Sequence, residues 1–129
     1  MNDDIDNSGE PIYPAGLPGS EHEAGSAYAP ITLVEYGDYQ CSRCMQAQLE
    51  VKHLIDAFGE QIRFVFRHFP DAAAHPHAEL AAEASEAAAA QGKFWEMHEL
   101  LFRQTMHLSP SAIMRDAATI ELDMTRFRA

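Results

Sequence analysis

Cys41 and Cys44 are the only cysteines in a chain of 129 residues, and they are separated by Ser42 and Arg43. A thiol pair at this spacing supports three chemistries. It can exchange disulfides, it can bind a metal such as zinc, or it can pack as inert thiols. Residues three apart share one side of a helix, which brings their Cα atoms within the ~4.4–6.8 Å that a disulfide spans. The residues leading in, Ile31-Thr-Leu-Val-Glu-Tyr-Gly-Asp-Tyr-Gln, are first β-prone and then turn-forming. A thiol pair at the mouth of a helix, directly after a strand, predicts redox activity rather than a structural staple.

The attacking species in disulfide exchange is the thiolate. Cys41 is expected to be the nucleophile. It stands at the predicted helix N-terminus, where unpaired N–H groups and the helix dipole favour an anion. Arg43 is the first Lys or Arg in the chain and adds positive charge beside it. Cys44 lies one turn further in, on an apolar stripe, and is expected to be the less exposed, resolving thiol. Glu35 is the third candidate, six residues before Cys41 in a strand otherwise built of Leu, Val and Tyr. Burial there would raise its pKa and let it pass protons to Cys44. The plainer alternatives are a Glu35 facing solvent on a strand edge and an Arg43 that is only a solvated first-turn residue. Tyr36, Asp38 and Tyr39 either shape a substrate surface or pack locally, and local packing is the expectation.

Seven histidines invite a metal reading. A zinc site would join Cys41 and Cys44 to His75 and His77. Their spacing of two, with Pro76 between them, departs from the usual H-x-x-x-H pattern, so neither metal nor cofactor is expected. His98 falls in an apolar helical segment and reads as a packed histidine. Phe94, Trp95, Met97 and Phe102 recur at helical spacing and read as core.

Positioning these groups requires a strand–helix–strand unit. Residues 31–36 form one strand, and the stripe Cys44, Ala47, Val51, Ile55 and Phe58, with Leu54 beside it, predicts a helix over 42–58 closed by Gly59. Residues 62–67, Ile-Arg-Phe-Val-Phe-Arg, form a second strand, parallel to the first. Beyond the connector 71–76, residues 77–91 form a helix with a slim face of Leu80, Ala81, Ala84 and Ala88, broken by Gly92. Further helices follow at 93–105 and 110–121. The second of these is capped by Ser109 with Pro110 at its first position, and Asp123 is placed to cap a last fragment. Residues 1–28 are rich in Pro, Gly, Ser and acids and read as a flexible acidic lead-in.

Thr32 to Cys44, Phe64-Val-Phe-Arg-His-Phe-Pro70, His75-Pro-His-Ala78 and Gly92-Lys-Phe-Trp-Glu-Met-His98 together resemble the DsbA-like thioredoxin family. The resemblance covers about residues 29–128. It implies an α/β thioredoxin-like domain over 29–129, a βαβ core at 29–70 with a helical insertion at 77–121. It implies a disulfide oxidase, reductase or isomerase working through Cys41 and Cys44, with Glu35 in the place of the family's acid before the motif. Ser42-Arg43 departs from the commoner Pro-containing dipeptides that tune redox potential. Family members continue past the helical insertion with a cis-proline segment opposite the dithiol, two more strands and a final helix. This chain ends at Ala129, so it reads as truncated before those strands. Phe64, Phe66 and the stripe on the first helix are then expected to lack part of their cover: either the chain is a truncated product, or a second copy supplies the cover through association or swapping.

Charge agrees with protein substrates. Asp and Glu outnumber Lys and Arg by 20 to 9, a formal charge of −11, which disfavours nucleic acid and anionic lipid. No apolar run reaches a membrane-spanning length, and no secretory signal is legible, so a natural start at Met1 predicts a cytoplasmic protein. The expected function is thiol–disulfide exchange with protein thiols and disulfides. The alternative is a non-catalytic or metal-binding helical interaction module.

Overall fold

A computed structural model describes residues 22–128. Its elements are β1 (His22–Ala24), β2 (Ile31–Gly37), α1 (Ser42–Phe58), β3 (Ile62–His68), α2 (Ala78–Ala89), α3 (Phe94–Arg103), α4 (Pro110–Thr119) and α5 (Met124–Arg128). Single 3-10 turns lie at Gly59–Gln61 and Thr105–His107. The chain divides into two compact units. The first runs to Tyr36 and resumes over Leu49–Arg67, and the second is Gly37–Gln48 with the chain from His68 onward.

The first unit is a three-stranded sheet in the order β1-β3-β2. β3 is central, and Ile62 to Phe66 are all buried. β1 runs antiparallel to it, with His22 opposite Phe66 and Ala24 opposite Phe64. On the other side, Arg63 Nη1 donates to Thr32 Oγ1 at 3.5 Å and Arg67 Nη1 donates to Tyr36 Oη at 2.7 Å. These contacts advance along both strands together, as in a parallel pair. Arg63 is 1% exposed. Its guanidinium is gripped in fork geometry by Glu23, Nε to Oε2 at 3.1 Å and Nη2 to Oε1 at 2.9 Å, the planar arrangement that suits a buried Arg. Gly25 leaves β1 at φ +93°, and a Cβ there would lie 2.6 Å from the Ile62 carbonyl oxygen, so only glycine fits.

β1 corrects two expectations. Residues 22–24 of the predicted lead-in form a strand; residues 1–21 lie outside the described residues. Among the described residues the sheet has three strands where the sequence showed two. A three-residue His-Glu-Ala strand carries no β-propensity of its own and exists by pairing with β3. Phe64 and Phe66, expected to lack cover, are 2% and 1% exposed. The expectation for the helix stripe fares differently. Along α1 only Val51 is buried; Cys44, Ala47 and Ile55 are half-buried, and Phe58 is exposed. Gly59 ends α1 in the left-handed region, φ +51°, the C-terminal glycine role read from sequence.

In the second unit α2 packs against α3, α4 and α5, α3 against α4, and α4 against α5. The inward face of α2 is Ala78, Ala81, Ala84, Ser85 and Ala88, while Leu80 is 39% exposed. Small residues at the contact let helices approach closely, and the only large member predicted for this face turns outward. Met97, Leu101, Ala112 and Ala117 are fully buried, with Phe94, Phe102 and Ile113 nearly so. Ser109 caps α4, its Oγ accepting from Ala112 N at 3.1 Å, with Pro110 in the first turn. Asp123 Oδ1 accepts from the Thr125 and Arg126 amides at 3.1 and 3.2 Å and opens α5. Gly92, at φ +75°, separates α2 from α3.

Candidate functional site: the dithiol loop

The candidate site is built on the loop Gly37 to Gln40 and the first turn of α1, all within the second unit. Cys41 N donates to Asp38 O at 3.1 Å, and Met45 N donates to Cys41 O at 3.1 Å. The second bond closes the first turn of α1, so Cys41 is the N-cap residue and Cys44 stands in that turn. Neither cysteine is part of a disulfide, and both are half-buried. The expected contrast between an exposed Cys41 and a more buried Cys44 is therefore absent at this level. Ser42 and Arg43 are exposed, and the Arg43 side chain faces solvent beside the pair.

The residues before Cys41 point inward. Tyr39 is 1% exposed and Asp38 5%, which places both with local packing. Tyr36, in the first unit, is 57% exposed with the Arg67 guanidinium 5.6 Å from its ring centre. Tyr39 Oη lies 2.8 Å from His98 Nδ1, and its ring meets His68, His98 and Phe102 at centroid distances of 6.0, 5.4 and 4.7 Å. His98 is 1% exposed and holds Gln48 Oε1 at 3.1 Å through Nε2. Both its ring nitrogens are thus partnered, as burial requires.

Asp38 makes a denser set of bonds. Oδ1 accepts from Gln40 N at 2.7 Å, and Oδ2 accepts from Asp71 N at 3.0 Å and from His75 Nδ1 at 2.7 Å. Gln40 Oε1 in turn accepts from His77 N at 2.8 Å. His75 thus has an acidic partner, and among the described residues Cys41, Cys44, His75 and His77 do not gather as one ligand set. Sequence alone did not reveal this clasp. Asp38 and His75 are each legible as polar residues in loops, but their pairing across 37 positions carries no local signal.

Glu35 lies on β2, in the first unit. Both of its carboxylate oxygens are buried, with no hydrogen-bond partner among the described residues. Burial pushes its pKa up from 4.5 to about 7, because loss of hydration penalises the charged form. The solvent-facing alternative for this carboxylate does not hold.

A family model described as thioredoxin matches residues 18–128. The chain belongs to this thioredoxin family. Its fold is of the DsbA-like thioredoxin type. It is similar to a thioredoxin-like oxidoreductase from Silicibacter pomeroyi DSS-3, with TM-score 0.71 and 29% identity over 84% of this chain and 61% of that one. It also shares its fold with the thiol-disulfide exchange protein alpha-DsbA2 from Wolbachia pipientis, with TM-score 0.75 and 20% identity over 85% of this chain and 58% of that one. Among curated relatives, it is 45% identical over 111 residues to the Na(+)/H(+) antiporter NhaA 3 of Salinispora tropica. That match takes in 86% of this chain and spans 17% of the antiporter's length. Among the described residues, no helix of this thioredoxin-family chain is long and apolar enough to cross a membrane.

Proposed function

We propose that the chain is a thiol–disulfide oxidoreductase that exchanges disulfides with protein substrates through Cys41 and Cys44. The observation that carries this reading is the placement of two cysteines, neither in a disulfide, in one helical turn, with Cys41 at the N-cap of α1, on a thioredoxin-family fold. Unpaired amides and the dipole at a helix start stabilise negative charge on an attacking sulfur.

The Cys41 thiolate attacks one sulfur of a substrate disulfide. A new S–S bond forms to Cys41, the substrate's S–S bond breaks, and one substrate sulfur leaves as a thiolate. Cys44, deprotonated in turn, attacks the Cys41 sulfur. The mixed disulfide breaks and the second substrate sulfur leaves. Two electrons have passed to the substrate, and the pair is left as a Cys41–Cys44 disulfide. Run backwards, the same steps donate a disulfide.

Glu35 is proposed to take and return the Cys44 proton. A carboxyl with a pKa of about 7 is divided between its two forms at neutral pH, the condition for efficient proton exchange. Its position six residues before Cys41 supports the same role. Arg43 is proposed to favour anionic sulfur and to meet acidic substrate surfaces from its exposed place between the cysteines.

Reduction of insulin by dithiothreitol tests the reading. Turnover by the wild type that is abolished in Cys41→Ser supports it. Absence of turnover in every protein, with about one equivalent of zinc retained through purification, would replace it with the metal-binding module.

A further inference from the structure

We infer that Asp38 and His75 form a positioning pair that holds the Cys41 nucleophile in its attacking orientation. This rests on the exchange role proposed for Cys41. The two residues stand apart from the thiols themselves and act through the backbone of the loop that carries Cys41.

Asp38 meets the nucleophile's own amide. Its carbonyl oxygen accepts from Cys41 N at 3.1 Å, one residue before α1 begins. Its side chain, 5% exposed, then fixes that carbonyl's direction from three sides. Oδ1 takes the Gln40 amide, and Oδ2 takes the Asp71 amide and His75 Nδ1–H. A carboxylate so buried needs partners for its charge. Two of these partners are backbone amides, and His75 supplies the side-chain donor that can be removed without disturbing the main chain.

The connector is held from a second point. Gln40, the residue directly before Cys41, accepts from the His77 amide at 2.8 Å, at the position that precedes α2. His75 and His77 therefore grip opposite ends of the Asp38-Tyr39-Gln40 tripeptide, and Cys41 is the next residue. Losing the His75 bond removes one of the three anchors on the Asp38 carboxylate and so loosens the residue whose carbonyl holds the Cys41 amide. A nucleophile must meet a disulfide sulfur in line, so a loosened loop lowers the fraction of time spent in a productive geometry.

The test uses Cys44→Ser as background, in which Cys41 is the sole thiol, and reads alkylation by iodoacetamide at fixed pH. His75→Ala and Asp38→Ala are each expected to slow alkylation about tenfold, the worth of one hydrogen bond to a charged group. The double variant is expected to be no slower than the worse single one, because the pair acts as a unit. His75→Asn, which offers an amide N–H where Nδ1 stood, is expected to recover the rate to within about threefold. The same His75 substitutions in the two-thiol protein, shown by circular dichroism to be folded, should shift the equilibrium of Cys41–Cys44 with glutathione. Alkylation unchanged in folded His75→Ala, or equally slow in His75→Asn and His75→Ala, overturns the inference. Should Asp38→Ala not fold, the two His75 variants decide alone. Wild-type insulin turnover, measured in parallel, separates a failure of this pair from a failure of the exchange activity.

Discussion

Tyr39 Oη lies 2.8 Å from Nδ1 of His98, joining the loop before the dithiol to the middle of α3 across 59 positions of sequence. Both residues are 1% exposed. The second ring nitrogen of His98 faces Gln48 Oε1 at 3.1 Å. With an oxygen acceptor at Nε2, that nitrogen carries the proton and Nδ1 accepts from the phenol. The chain Tyr39–His98–Gln48 thus links the start of the dithiol loop to the second turn of α1 through one buried ring.

Tyr39→Phe removes the phenol that bonds Nδ1 of the buried His98. The expected loss is about 1–3 kcal/mol of unfolding free energy, measured by urea denaturation. Adding His98→Leu to Tyr39→Phe should cost less than the sum of the two single changes, since both break the same hydrogen bond. Additive losses would show that the bond contributes nothing beyond packing.

Cys44→Ser should trap the mixed disulfide. Cys41 can still attack, but no second thiol resolves the product. Incubation with an oxidised protein substrate, followed by non-reducing electrophoresis and mass spectrometry, is expected to show a covalent adduct at Cys41. Cys41→Ser should give none. An adduct at Cys44 in Cys41→Ser, formed as fast, would reverse the assignment of nucleophile and resolving thiol.

Glu35 should make stability fall as pH rises. Its folded-state pKa of about 7 stands above the ordinary 4.5, so between these values the folded chain binds more protons than the unfolded chain. The stabilisation is complete below about 4.5, declines through neutral pH and is gone above about 7. Allowing for partial solvation, the group accounts for about 2 kcal/mol across that window. Glu35→Gln removes the titration, so denaturation midpoints of wild type and variant should diverge with rising pH in favour of the variant. Parallel pH profiles would refute the burial argument.

Glu23 and Arg63 should show the asymmetry of a buried ion pair. Glu23→Ala leaves the Arg63 guanidinium buried without its fork of oxygens, at a cost of about 3 kcal/mol or more. Arg63→Met with Glu23→Gln replaces charge with apolar volume and should recover most of that loss. Thermal melts of the two proteins give the comparison. Equal destabilisation would mean that β1 depends on the ion pair itself rather than on relief of a buried charge.

The sequence alone determined the local parts of this protein. Ser42 and Phe58 bound α1 as read, Ser109 and Pro110 open α4, and Gly59 and Gly92 stand at helix ends in left-handed conformations. Caps, periodicity and glycine geometry act over one or two turns, so the residues that decide them are neighbours in sequence. The same holds for Cys41 and Cys44, whose spacing is already a geometry once a helix begins at Ser42.

Tertiary structure decided the rest. His22–Ala24 is a strand because β3 offers it an edge and Arg63 receives Glu23. α2 turns Ala78 and Ser85 inward and Leu80 outward because its neighbours leave room only for small side chains there. Asp38 finds His75, and Tyr39 finds His98, 37 and 59 positions away. A buried polar group must be partnered, but which distant residue partners it is fixed by packing, and no local propensity records that choice.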